Sequence, residues 1–117
     1  MKNQKFPRRL QNALRGLRAA TKTEFSFRTH LFFTVSAFIG LVFLRPEPIW
    51  WAIVALSVGA VLAAELFNTA LEMFVDHLHP ERHPVVGAVK DCAAAAVLVL
   101  SLTAVLIALA LLYSKIG

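Results

Sequence analysis

The chain has 117 residues, of which 58% are hydrophobic and only 16% charged, with a formal net charge of +5. That composition excludes an ordinary soluble domain of this size, and a single cysteine, Cys92, excludes an internal disulfide framework. The surplus of cations points to an anionic membrane surface rather than to nucleic acid, because the basic segment is joined to apolar spans and lacks base-stacking aromatics.

In chain order, residues 1–26 are expected to hold an amphipathic surface helix. Phe6, Leu10, Ala13, Leu14 and Leu17 recur at helical spacing, with Arg8, Arg9, Arg15 and Arg18 mostly on the other side. Pro7 suits a first helical position. No cleavable signal peptide is expected, since the first apolar run begins only at residue 31, behind a long and charged segment. Uncharged runs then occupy 31–44, 49–64 and 93–114, the last of 22 residues. A hydrocarbon core of about 30 Å needs about 20 helical residues. Three transmembrane helices are therefore predicted over 27–46, 48–75 and 88–114, within one membrane domain covering 1–117.

Arg45-Pro46-Glu47-Pro48 reads as a tight turn, with Trp50 and Trp51 as interfacial anchors beside it. Eight of the twelve Lys and Arg precede the first uncharged run at 31–44, which assigns the N-terminus and the 76–90 loop to the cytoplasm. In that loop Pro80 and Pro84 act as helix breakers. The alanine run opening the third span lets helices approach closely.

The most informative stretch is 65–76. No Gly or Pro separates it from the sixteen uncharged residues before it. With Glu65 at 0°, a helix puts Asn68 at about −60°, Glu72 at about −20° and Asp76 at about +20°. Three carboxylates and an amide thus share an arc of about 80°. A carboxylate at membrane depth costs roughly 2.5–3.5 kcal/mol on insertion scales, so such a row needs a partner or a task. Three helices hardly surround it, which favours a homo-oligomer.

Acids at the cytoplasmic interface, with Lys90 and Asp91 opening the next span, suit Mg²⁺ and phosphate. Magnesium prefers oxygen ligands and is often shared between one or two carboxylates and phosphates. Lys90 offers a point charge to phosphate, and a further carboxylate can accept a hydroxyl proton. Phosphoryl transfer rests mainly on positioning and charge neutralisation, and no Gly-rich phosphate loop is present. The same row also fits a proton- or cation-conducting oligomer, or a non-catalytic assembly subunit. His77, His79 and His83 are poorly spaced for zinc, with Pro80 between them.

Glu65-x-x-Asn68-Thr69-Ala70-Leu71-Glu72-x-x-Val75-Asp76, followed by Lys90-Asp91 and the alanine-rich third span, resembles the prokaryotic diacylglycerol kinase family, which includes undecaprenol kinases. The resemblance implies an inner-membrane homotrimer that moves the γ-phosphoryl of Mg-ATP to the hydroxyl of a membrane lipid alcohol, either diacylglycerol or undecaprenol. It implies that Glu65 is the general base and that Glu24 and Glu72 hold the metal and the ATP phosphates. Asn68, Lys90, Asp91 and, more weakly, Glu81, Arg82 and His83 become nucleotide contacts. Asp76 and Arg28 become further polar members of the site. Lys5 and Asn12 stand where enterobacterial diacylglycerol kinases have an Arg and a Tyr, and Arg82-His83 replaces a Tyr-His pair. Arg28-x-His30 and His83-Pro84 look more like the undecaprenol kinase branch.

Overall fold

The computed structural model describes residues 3–81 and 83–116. Its regular elements are all helical: α1 (Phe6–Thr23), α2 (Phe25–Leu44), α3 (Pro48–Leu78) and α4 (Pro84–Ile116). Lys5 is extended before α1, and Pro7 occupies its first turn, where a missing N–H costs nothing. Ala20 is the one buried residue of α1, whereas Phe6, Leu10, Leu14 and Leu17 are exposed. Its apolar stripe is therefore left free to lie on lipid.

Glu24 alone separates α1 from α2. It is extended (φ −108°, ψ 110°), and its N–H donates to the Ala20 carbonyl at 2.9 Å. The Arg28 guanidinium then reaches back across the joint, donating to Thr21 O at 3.1 Å and Lys22 O at 3.0 Å. Those carbonyls belong to the last turn of α1, which has no helical partners for them. Ala20 and Phe27 are buried on either side of this joint.

The first spanning helix begins and ends two residues earlier than 27–46. Arg45 adopts the left-handed conformation (φ 50°, ψ 54°) and its N–H closes on Leu41 O, which stops α2 ahead of Pro46. Pro48 opens α3 at once. At the other end, α3 runs to Leu78 before Pro80 halts it. Pro84 does not break a helix here. It starts α4, four residues before the expected 88, because proline is tolerated in a first turn. The expected loop 76–90 thus shrinks to 79–83, and Asp91 sits two turns inside α4 rather than at its N-terminus.

Helix α3 packs most extensively on α4 and less on α2, while α1 touches α2 and α3. The buried core of Leu41, Val54 and Leu111 lies toward the Arg45–Pro48 turn, with Ala37, Phe38, Trp50, Trp51, Val58 and Ile107 packed around it. Trp51 therefore contributes to packing, its ring 6.3 Å from that of Phe38. The alanine run makes little use of close approach within the chain, since Ala93 is half-buried and Ala94, Ala95 and Ala96 are exposed.

Helices α2, α3 and α4 are long and apolar enough to cross a membrane, yet only 11%, 17% and 11% of their apolar windows are buried inside the chain. Their remaining faces need lipid or other copies for contact. Along α3, a rise of 1.5 Å per residue puts Glu65 about 26 Å from Pro48 and Asp76 about 42 Å from it. A hydrocarbon layer of about 30 Å then ends just beyond Glu65.

Candidate active site

Glu65 is buried, with 6% of its surface exposed, and it is the one buried charged residue among the described residues. A carboxylate removed from water is costly unless it finds a partner. The partner comes from α2, where His30 Nδ1 lies 3.4 Å from Glu65 Oε1. The other ring nitrogen, Nε2, lies 3.4 Å from Ser101 Oγ on α4. All three spanning helices therefore meet at the level of Glu65. The sequence reading did not place His30 or Ser101 in the site. The available signal was a basic ring at the edge of the uncharged run 31–44, two residues after Arg28, which stands out for the same reason as Glu65.

Glu24 and Glu72 approach the same point. Both repel the Glu65 charge, while His30 attracts it. The gathering of Glu24 from the α1–α2 joint with two acids of α3 is a tertiary event. It happens because α1 ends on the single extended residue Glu24 and packs against both α2 and α3. Glu24 and Glu72 are each half-buried and so remain open to a ligand.

One turn beyond Glu65, Asn68 Nδ2 donates to Glu72 Oε1 at 3.2 Å. The amide oxygen of Asn68 is buried without a hydrogen-bond partner. A buried orphan acceptor calls for a donor or a cation. The helical face expected for Glu65, Asn68, Glu72 and Asp76 therefore exists, but it is graded. Burial falls from Glu65 through the half-buried Asn68 and Glu72 to the exposed Asp76.

Asp76 is not a lone acid, because Lys90 Nζ donates to its Oδ1 and ties the end of α3 to the start of α4. Beside this pair is a cavity of about 470 Å³ bounded by Asp76, His79, Glu81, His83 and Lys90. Glu81 and His83 are thus brought next to Lys90, and Arg82 lies outside the described residues. Asp91 is exposed on α4. Arg28 is occupied at the α1–α2 joint, where it also lies 5.9 Å from the Phe25 ring centroid.

No group of three or more His, Cys, Asp or Glu is arranged to hold a metal by itself among the described residues. Magnesium does not require one, since it keeps several waters and completes its shell with phosphate oxygens. Glu72, Glu24 and the orphan oxygen of Asn68 are hard oxygen donors of the right kind. The donor set fits a magnesium–phosphate ligand.

The family profile described as prokaryotic diacylglycerol kinase matches residues 11–112. An undecaprenol kinase of Bacillus subtilis is 31% identical over 112 residues, covering 96% of this chain and 91% of the relative. A diacylglycerol kinase of Escherichia coli K12 is 34% identical over 103 residues, covering 88% and 84%. A diacylglycerol kinase of Synechocystis is 38% identical over 93 residues, covering 79% of this chain and 53% of the relative. With three apolar helices arranged around a buried carboxylate, the chain belongs to the prokaryotic diacylglycerol kinase family and is a multi-pass membrane lipid kinase.

Proposed function

We propose that the chain transfers the γ-phosphoryl group of ATP to the hydroxyl of a membrane lipid alcohol at the cytoplasmic edge of the inner membrane, with Glu65 as general base. The single observation carrying this reading is the burial of Glu65 on a membrane-length apolar helix, about 26 Å along it from Pro48. The lipid hydroxyl gives its proton to Glu65, its oxygen bonds to the γ-phosphorus, and the bond from that phosphorus to the β-bridging oxygen breaks as ADP leaves. Magnesium, when bound, would neutralise phosphate charge, and Glu72 and Glu24 with Asn68 would hold it. Lys90, next to Glu81 and His83 on the 470 Å³ cavity, supplies a cation for the nucleotide. Asp91, exposed on α4, and Arg82, outside the described residues, complete the proposed nucleotide set. Asp76 holds Lys90 in place, and Arg28 holds the joint that carries Glu24.

The N-terminus and α1 then lie on the cytoplasmic face, where ATP is. The exposed apolar faces of the three spans support a homotrimer, in which other copies cover what one chain leaves open.

The acceptor is diacylglycerol or undecaprenol, the lipids for which the relatives are named. The test is phosphoryl transfer from labelled ATP to each lipid in mixed micelles, with magnesium present or chelated. Transfer should require magnesium, and one lipid should be preferred by about tenfold or more, equal to about 1.4 kcal/mol in transition-state binding. Glu65→Gln should abolish turnover and leave the oligomer intact. A fully active Glu65→Gln variant would remove Glu65 from the role of base.

A further inference from the structure

The base assigned above leaves a problem that one helix cannot solve. Among the described residues, Glu24 and Glu72 push against the charge of Glu65 and only His30 pulls the other way. A carboxylate so placed does not settle into a reactive orientation through its own helix. It needs a fixed donor.

His30 has that position. It stands on α2 with 23% of its side chain exposed, facing Glu65 on α3 through Nδ1 and Ser101 on α4 through Nε2, each at 3.4 Å. Its Nδ1 is buried and has no aligned hydrogen bond, so the contact to Glu65 is poised rather than closed. Ser101 has a hydroxyl that can donate to Nε2, and this leaves Nδ1 as the nitrogen that bears hydrogen and faces the carboxylate.

The surroundings give the ring a second reason to be there. A cavity of about 550 Å³ runs between α2, α3 and α4, and His30 and Ser101 form its polar end. Below them the lining is largely apolar, with Ala37, Gly40, Val58 and Ala104 among it. Without the imidazole, Glu65 would lose the one group that attracts its charge among the described residues.

We propose that His30 is the positioning residue of this kinase. Its Nδ1–H holds one oxygen of Glu65 so that the other faces the lipid hydroxyl, and Ser101 sets the ring's tautomer. This inference rests on the reading of Glu65 as the base.

The test measures kcat and KM for ATP and for the lipid in detergent-purified oligomer, using His30→Ala, His30→Asn, His30→Gln, Ser101→Ala and Glu65→Gln. Asn places its amide nitrogen near the position of Nδ1, whereas Gln places its amide nearer that of Nε2. His30→Ala should lower kcat by about 10- to 100-fold, the usual cost of losing a group that orients a reacting residue, with KM for ATP changed by less than about twofold. His30→Asn should recover most of that loss and His30→Gln little of it. Ser101→Ala should cost a few-fold, roughly the effect of one lost neutral hydrogen bond.

Wild-type kcat in His30→Ala beside an inactive Glu65→Gln would overturn the inference and leave the base intact. An active Glu65→Gln would instead overturn the base. If His30→Ala fails to assemble, the comparison of Asn with Gln decides. Equal impairment in both, with kcat lowered and KM raised together, would make His30 a packing residue and sink the proposal.

Discussion

Arg28→Ala is the sharpest probe of how the site is put together, because Arg28 touches no carboxylate and yet controls one. Its guanidinium donates to Thr21 O and Lys22 O at 3.1 and 3.0 Å, closing the joint from which Glu24 extends toward Glu65. A hydrogen bond from a charged donor is worth about 1.5–3 kcal/mol when sheltered. This side chain is exposed, so about 1–2 kcal/mol for the pair together is the reasonable scale after solvent screening. Every 1.4 kcal/mol is about a tenfold shift in an equilibrium, here between α1 docked on α3 and α1 released. Arg28→Ala should therefore speed hydrogen exchange of the Ala20 to Glu24 amides by about 5- to 30-fold, while the amides of α3 stay protected. KM for ATP should rise by a similar factor, since Glu24 moves away from the phosphates, whereas kcat at saturating ATP should change little. Arg28→Lys should recover only part of the effect, because one ammonium cannot match the planar fork. Unchanged exchange at the joint together with a collapsed kcat would refute this reasoning and put Arg28 on the substrate instead.

Other expectations follow from the same geometry. Asp76 and Lys90 are 58% and 35% exposed, so breaking their ion pair should cost less than about 1 kcal/mol of stability. KM for ATP should still rise clearly in Lys90→Ala, and exchanging the two charges should restore thermal stability without restoring ATP affinity. Equal recovery of both would show that the pair only staples α3 to α4. Leu41→Ala, in the core far from Glu65, should lose about 2–4 kcal/mol as a cavity opens. It should lower the midpoint of thermal inactivation and leave kcat at low temperature within about twofold; a selective loss of kcat with unchanged thermal inactivation would contradict the separation of core and site.

Much of the architecture was readable because a membrane makes folding local. A span must satisfy its backbone within its own segment, so uncharged length alone announces a helix. The Arg45–Pro48 turn was legible for a similar reason, since two prolines and a left-handed residue stop one helix and start the next. Pro84 misled because a proline has two meanings. It ends a helix from inside and begins one from the first turn, and only the actual start of α4 distinguishes them. Asp91 moved into the body of α4 as a consequence.

The acidic row shows where the boundary lies. Its shared face follows from 3.6 residues per turn, and Glu65, Asn68, Glu72 and Asp76 needed nothing else to be aligned. Their unequal burial was not in that arithmetic. It comes from His30 of α2 and Ser101 of α4 meeting at the level of Glu65, whereas Asp76 meets only the first turns of α4 through Lys90 and stays exposed.

What the sequence by itself determined is the set of helices, their membrane lengths, the acidic face and the family to which these belong, because each depends on residues within a turn or two of one another. What only the tertiary structure decided is the company Glu65 keeps. His30 and Ser101 are 71 residues apart in the chain and Asp76 and Lys90 are 14 apart, yet each pair meets. Such meetings depend on how the helices pack and where α1 folds back, and no local periodicity encodes either.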